Sequence, residues 1–274
     1  EGSLQKTHPL ELPAGFEPRS VRIMLARGEA VQALEGVGYL IDYPYGCVEQ
    51  TMSRFLPAVV VREAGKHTPI QLSPEVAAKL PHVIRCGLAR LHRFQHADGG
   101  WGWWESDPTD DAMTAYVVYG LAICQRAGAK MDDDMLRRGC AYLEHRLKEG
   151  KLSGFVAARA WYALTIADCI NAPALARAVQ TRLAQNVGAD ERALLSLACK
   201  RSGLRMEADR LALSLRNWKP IDAESIAMQL HLRMAFGAPY ADCQSSAEAL
   251  FRCRTGHRWP NTQATAAAIL APAD

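Results

Sequence analysis

Residues 43–57 read Tyr-Pro-Tyr-Gly-Cys-Val-Glu-Gln-Thr-Met-Ser-Arg-Phe-Leu-Pro. Pro44 and Gly46 interrupt any preceding helix, because proline lacks a backbone N–H and glycine is a poor helix former. Apolar residues then recur three and four positions apart, which is typical of one face of an α-helix: Met52, Phe55, Leu56, Val59 and Val60. The stretch therefore predicts a helix that begins at or near Cys47.

The same helical spacing continues through most of the chain. From Gly28 onward Ala, Leu, Arg and Glu dominate, and residues 20–25 are the one candidate strand. Short loops with Gly or Pro separate the predicted helices: 29–41, 47–64, 74–95, 110–127, 132–148, 155–169, 173–186, 190–202, 206–215, 222–235, 240–252 and 261–271. We predict an all-α domain over residues 28–274, preceded by an extended leader over residues 1–27.

Weak internal repetition runs along these helices. Small and aromatic residues recur at helical spacing in 114–117, 158–162 and 262–267, and two of these helices follow Gly/Trp loops at 99–104 and 256–259. Repeated helical hairpins of about 40–50 residues occur in solenoids and in closed rings. The repeats alone do not separate an open solenoid from a closed toroid.

Composition and charge exclude several classes of protein. The chain has 274 residues, of which 49% are hydrophobic, and its formal net charge is +3. Its 32 basic and 29 acidic residues are intermixed, so no nucleic-acid-binding face is indicated. No apolar run reaches the ~20 residues that a membrane-spanning helix needs. We therefore expect neither a nucleic-acid partner nor direct membrane insertion.

The eight cysteines fall into three groups. Cys47 stands in the Pro/Gly turn, whereas Cys243 and Cys253 lie ten residues apart and are candidates for a disulfide. The other five lie among Ala, Leu and Val, where free cysteine packs as a small hydrophobic residue: Cys86, Cys124, Cys140, Cys169 and Cys199. No Cys-x-x-Cys pair or Cys/His ligand spacing is present, so no structural zinc site is indicated.

Cys47 and Gln50 are three residues apart at the predicted helix start. Residues at this spacing face each other in a helical turn, and the backbone N–H groups of a helix N-terminus stabilise negative charge. A cysteine sulfur can attack the glutamine carboxamide carbon at this spacing and close a thiolactone with loss of ammonia. A helix-start cysteine beside a solvated glutamine fits the same pattern, so spacing alone does not decide between the two.

Such a thioester would be electrophilic. An amine or a hydroxyl can attack the Gln50 carbonyl and release the Cys47 thiolate, after which the site is spent. Because water also destroys the bond, aromatic side chains must shield it until it is needed. The candidates for that shielding are Tyr43, Trp101, Trp103 and Trp104.

The segment 43–57 resembles the thioester motif of the alpha-2-macroglobulin and complement family, particularly of its bacterial alpha-2-macroglobulin branch. Pro44, Tyr45, Gly46 and Glu49 match the motif around the reactive pair. Further stretches are similar to the family's entering strand, its Gly/Trp-loop helix pair and its last helices: 16–22, 99–104, 114–118 and 259–270. The resemblance spans roughly residues 16–270.

The resemblance implies an α/α toroid of about twelve helices with an internal thioester between Cys47 and Gln50. It implies no cofactor and no metal, and it gives Glu49 a place in the motif without a settled role. Residues 1–27 would lead in from a neighbouring domain of a larger protein. That protein would be a periplasmic or cell-surface protease inhibitor that defends its bacterial host. It would be a single-turnover covalent trap for proteases or other amine-bearing targets, and not an enzyme.

Complement-type members of this family carry a histidine a little over a hundred residues after the cysteine, which redirects the thioester toward hydroxyls. The corresponding region here, approximately 150–166, contains no histidine, and the nearest is His145 on a predicted helix. No catalytic histidine is therefore assigned. We expect direct attack by amines such as lysine.

Three other functions fit parts of the sequence. Residues 95–101 resemble the Gly-Trp repeats of triterpene cyclases, whose acid cluster is similar to Asp107, Asp110 and Asp111. A cyclase or prenyltransferase-like enzyme is therefore one alternative, and a binding domain that has lost its thioester is another. A cysteine hydrolase or acyltransferase would use Cys47 as nucleophile with a histidine as base. The histidines available by number are His67, His82, His92 and His96.

Overall fold

The computed structural model describes residues 37–42, 46–67, 73–185, 187–256 and 258–270. These residues contain twelve helices and no strand. Helix α1 covers 37–42. The others are α2 (Val48–His67), α3 (Pro74–Phe94), α4 (Asp111–Arg126), α5 (Asp133–Lys148), α6 (Gly154–Ile166), α7 (Ala172–Leu183), α8 (Ala189–Arg201), α9 (Arg205–Ser214), α10 (Ala223–Ala235), α11 (Tyr240–Arg252) and α12 (Thr262–Leu270). The leader 1–27 and its candidate strand 20–25 lie outside the described residues.

The six even-numbered helices form a closed inner ring. Each packs against the next in the order α2, α4, α6, α8, α10 and α12, and α12 packs back against α2. Helix α4 is typical of this ring, because its buried residues lie on nearly every side of the helix. A helix that is apolar all round must be surrounded by protein. The ring closure confirms the predicted all-α toroid and excludes an open solenoid.

The odd-numbered helices from α3 to α11 lie outside this ring. Helix α3 packs on α2, α9 on α8, and α11 on α10. Helix α3 buries one stripe at helical spacing, as an outer amphipathic helix does: Leu80, Val83, Ile84, Gly87, Leu88, Leu91 and Phe94. At Gly87 an added Cβ would lie 2.6 Å from the Cβ of Phe55, so the two layers are in close contact.

The two Gly/Trp loops build the same joint at two places in the ring. The indole Nε1 of Trp101 donates to the Leu91 carbonyl over 2.8 Å, and that of Trp259 donates to the Leu250 carbonyl over 2.8 Å. The backbone N–H of each tryptophan also donates to a threonine hydroxyl one turn into the following helix. Trp101 donates to Thr114, and Trp259 donates to Thr265. The weak sequence repeat is therefore a structural repeat, in which a buried tryptophan joins an outer helix to an inner one.

All eight cysteines are free. The suggested pair is not bonded, since the thiols of Cys243 and Cys253 donate to the Ala238 and Ala249 carbonyls. Of the five predicted core cysteines, three are fully packed in the core: Cys124, Cys140 and Cys199. Cys169 is partly buried against the core, and Cys86 lies beside His82 on the outer surface of α3. The prediction was wrong for Cys86, because α3 turns that position away from α2.

Candidate functional site

Cys47 lies directly before α2, as the spacing predicted, and only 8% of the residue is exposed. Its carbonyl accepts two hydrogen bonds from Thr51, from the backbone N–H and from the hydroxyl, each over 3.0 Å. These bonds fix the cysteine at the first turn of a helix whose N–H groups stabilise negative charge. The position is buried yet next to the surface.

Gln50 folds back toward Cys47. Its side-chain Oε1 accepts a hydrogen bond from the Cys47 backbone N–H over 3.2 Å. This is one half of a capping box, in which the third helical residue satisfies the N–H of the residue before the helix. The local helix geometry therefore brings the Gln50 carboxamide beside the cysteine.

Gly46 leaves the space that the Gln50 side chain occupies. A Cβ at position 46 would overlap Oε1 of Gln50 and lie 3.0 Å from its carboxamide carbon Cδ. Glycine at this position is thus required by the close approach of the glutamine side chain.

Two outer segments hold this turn in place. The Val48 N–H donates to the Trp103 carbonyl over 2.9 Å, which ties the start of α2 to the first Gly/Trp loop. From α3, Nη2 of Arg90 donates to the Gly46 carbonyl over 2.6 Å, and its guanidinium lies 4.5 Å from the centre of the Phe94 ring. Residues 46–48 are therefore held from both sides by segments that follow α2 in the chain.

Glu49 faces the closure of the ring. Its Oε1 accepts from the hydroxyl of Ser53 over 2.5 Å, and both carboxylate oxygens accept from the hydroxyl of Thr262, over 3.2 and 3.3 Å. Ser53 also lies within hydrogen-bond distance, 3.3 Å, of the Tyr116 hydroxyl on α4. The motif glutamate thus joins the first turn of α2 to α12 and α4.

The tryptophans proposed as shields lie in two environments. Trp101 is fully buried, and its indole fills the joint between α3 and the loop. Trp103 and Trp104 are each about half exposed, and Trp103 is the one whose backbone contacts the site. Tyr43, Pro44 and Tyr45 lie outside the described residues.

The histidines named in the sequence lie elsewhere. His145 is exposed and pairs with Glu149 over 3.2 Å, and His96 contacts the Thr109 hydroxyl over 2.8 Å within the loop. His82 and His92 are on the exposed side of α3. The side chain of His67 lies outside the described residues. In the part of the chain that the structure describes, Cys47 makes no hydrogen bond to a histidine.

Several site residues were not predicted from the sequence. The turn and its Glu49 are contacted by Arg90, Ser53, Thr262 and the Trp103 carbonyl. Of these, only Ser53 was indicated by the sequence, because residues four apart lie on one helix face and Ser53 follows Glu49 at that spacing. Among the described residues, no cluster of His, Cys, Asp or Glu is arranged to hold a metal ion. No helix in the described ranges is long and apolar enough to cross a membrane.

The family model of the A-macroglobulin TED domain matches residues 22–162. This match covers more than half of the chain, and the chain belongs to this family.

Its relatives include an alpha-2-macroglobulin of Thermotoga maritima, which is 42% identical over 134 residues, or 49% of this chain and 8% of that protein. A drimenyl diphosphate synthase of Streptomyces showdoensis is 34% identical over 116 residues, or 41% of this chain and 21% of that protein. The crystal structure of Salmonella alpha-2-macroglobulin reacted with methylamine has a TM-score of 0.70 at 21% identity, covering 88% of this chain and 17% of that chain. The chain therefore spans less than a quarter of the length of each of these proteins.

Proposed function

We propose that Cys47 and Gln50 form an internal thioester and that this chain is the covalent-capture domain of a macroglobulin-like protease inhibitor. The observation that carries the proposal is the folded-back Gln50 side chain, whose Oε1 lies 3.2 Å from the Cys47 backbone nitrogen in the first turn of α2. Membership of the A-macroglobulin TED family supports the same assignment.

The chemistry has two balanced steps. The Cys47 sulfur attacks the Gln50 carboxamide carbon, a C–S bond forms, and ammonia leaves. An amine of the target then attacks the same carbon, an amide forms, and the thiol is released. Each domain reacts once, because the second step leaves a substituted amide at Gln50 and a free Cys47 thiol. The Trp103 carbonyl and Arg90 hold the turn, while Tyr43, Trp103 and Trp104 would limit access of water.

The location of the proposed reactive thiol distinguishes it from the three cysteines packed in the core. Burial raises the pKa of Cys199 to about 12, and burial also raises the pKa values of the Cys124 and Cys140 thiols. These thiols stay protonated at neutral pH and react poorly, since the thiolate is the nucleophile. Cys47 instead lies at a helix N-terminus beside a carboxamide.

Intact mass spectrometry and methylamine test the thioester directly. We expect the chain to be lighter than its sequence mass by one ammonia, then to gain one methylamine and one reactive thiol, with the label at Gln50. Cys47→Ala should show neither change, and Cys199→Ala should behave as wild type. Glycerol should react far more slowly than methylamine, because no histidine in the described part of the chain hydrogen-bonds to Cys47 to relay the acyl group. Equal methylamine labelling of wild type and Cys47→Ala would contradict the thioester.

We also propose that Glu49 orients the reactive turn by tying it to α12. Thr262→Val removes the hydroxyl that both Glu49 oxygens accept from, and hydrogen bonds to charged groups contribute about 1.5–3 kcal/mol. We expect a smaller fraction of chains to carry the thioester, measured by intact mass. Thr262→Ser should restore the thioester fraction, because serine keeps the hydroxyl. The matched control is Thr181→Val, at an exposed position of α7. An unchanged thioester fraction in a folded Thr262→Val variant would exclude this role.

The similarity to drimenyl diphosphate synthase favours a cyclase as the second candidate, but two of the three aspartates, Asp110 and Asp111, are engaged otherwise. Asp110 caps α4, since its carboxylate accepts from the Met113 N–H over 2.7 Å. Burial alone would raise the pKa of Asp111, but hydrogen bonds from Arg146 and Tyr142 outweigh it, and the pKa lies below its ordinary value. Asp111 is therefore ionised at neutral pH and holds no proton for a cationic cascade. Product formation from prenyl diphosphates or squalene would reverse this preference.

For the parent protein we propose a periplasmic or cell-surface location and attacking proteases as partners. In such a protein, cleavage elsewhere in the chain would expose the thioester, and a lysine of the protease would be attached to Gln50. Residues 1–27 would connect this toroid, over 28–274, to a neighbouring domain of the parent.

A further inference from the structure

A cavity of about 680 Å³ opens at one end of the ring. It is lined by residues of five of the six inner helices, α4, α6, α8, α10 and α12, so it lies inside the ring. Its volume is within the range of small-molecule sites, about 300–1,000 Å³. Cys47 and Gln50 do not line it. The cavity is thus separate from the reactive pair.

Much of the cavity wall is aromatic and apolar. The rings of Tyr119 and Tyr162 stack with centroids 5.7 Å apart, and Leu194 and Met228 continue this surface. Such a wall suits the apolar body of a ligand, since burial of apolar surface is the main source of affinity in concave sites.

One partly buried cation faces this wall. Arg159 lies on α6 with its guanidinium 4.8 Å from the centre of the Phe155 ring and 6.0 Å from that of Tyr116. It makes no hydrogen bond or ion pair with any residue that the structure describes, and burial lowers its pKa. A partly buried charge without an ionic partner is stabilised by an anion placed beside it, which a ligand can supply.

The nearest carboxyl does not neutralise this guanidinium by direct contact. Burial raises the pKa of Glu224, which favours the neutral acid, and the Asn261 side chain hydrogen-bonds to it.

Two further carboxylates around the cavity have partners within the protein. Glu191 pairs with Arg182, whose Nε donates to it over 2.6 Å. Asp222 caps α10 by accepting from the Ser225 N–H over 2.8 Å. Asp190 lies in the first turn of α8, where the helix dipole stabilises a negative charge, and its buried Oδ1 accepts no hydrogen bond. None of these three carboxylates forms an ion pair with Arg159.

We propose that this cavity binds an amphiphile with one anionic head, a carboxylate or a phosphate monoester, placed on Arg159. The apolar chain then lies along Tyr119, Tyr162 and Met228. Carboxylate and phosphate heads both accept the paired N–H groups of a guanidinium, so fatty acids and lipid phosphates are the two sources to distinguish.

Calorimetric titration of the 274-residue chain with decanoate, decyl phosphate, decanol and decylamine tests this assignment. We expect one site for at least one of the two anions, and weaker binding of decanol and decylamine. The anion that binds more tightly shows whether the ligand is a fatty acid or a lipid phosphate. Arg159→Met should weaken binding of that anion by about tenfold or more, whereas Arg205→Met on exposed α9 should not. Cys47→Ala should bind as wild type, so this test is independent of the thioester.

Three outcomes would overturn the proposal. They are no binding of either anion, unchanged anion binding by Arg159→Met, and tighter binding of decylamine that is lost in Asp190→Asn. Thermal unfolding should show that Arg159→Met is folded, because an apolar residue replaces a partly buried charge that forms no ion pair. Should it not fold, Met228→Trp fills the cavity from another helix and must abolish anion binding.

Discussion

Gly46→Ala should abolish the thioester while leaving the fold intact. The added Cβ would overlap Oε1 of Gln50, which is the end of a flexible side chain, so the glutamine can rotate away at little cost in stability. Rotation, however, removes the carboxamide from Cys47. We expect the ammonia-loss mass to be absent, methylamine labelling to fall to the level of Cys47→Ala, and the unfolding midpoint to stay close to that of wild type.

Gly188→Ala is the control for this variant. An added Cβ there meets open space, and its φ of −60° is accessible to any residue. It should keep the thioester and the same unfolding midpoint. A Gly46→Ala variant that still carries the thioester would show that the folded-back Gln50 side chain is not the reactive arrangement.

Trp101→Ala should have the largest effect on stability. The indole is fully buried, it donates to the Leu91 carbonyl, and Gly139 of α5 lies against the ring, since a Cβ there would be 2.9 Å from it. Truncating a buried tryptophan costs about 3–5 kcal/mol, because transfer energy is lost and a cavity remains. We expect a loss of this size in the free energy of unfolding, measured by urea titration.

Trp104→Ala tests the same loop without the buried joint. Its side chain is about half exposed, so the change should stay within about 0.5 kcal/mol. Equal losses in the two variants would contradict the structural role of Trp101. Because the same loop supplies the Trp103 carbonyl to α2, Trp101→Ala should also increase hydrolysis of the thioester, detected as an earlier release of the Cys47 thiol.

The helices were predictable because each has a strong local signal. The range predicted for α11 agrees with the observed one, and those of α2, α3 and α4 differ by three residues or fewer at either end. The proposed reactive pair was also predictable from a local signal, since Cys47 and Gln50 lie within one helical turn. Its place at the start of α2 follows from Pro44 and Gly46 before it and from the apolar stripe after it.

The surroundings of that pair were not predictable in the same way. Arg90, Trp103 and Thr262 reach the turn from segments that lie 40 to more than 200 residues further along the chain. Their residue types are common and carry no periodic signal. The prediction for Cys86 failed for a related reason, since an apolar neighbourhood in sequence does not specify which face of an outer helix meets the ring.

The sequence by itself determined the number of helices, their bounds and the Cys–Gln pair, because these depend on spacing within a turn or a few turns. Only the tertiary structure decided that the hairpins close into a ring, since closure depends on α12 packing against α2 across the whole chain. That contact places Thr262 on Glu49, and α12 completes the wall of the cavity that Arg159 lines. Hydrogen bonds and charge burial act over a few ångströms in space, whatever the separation in sequence.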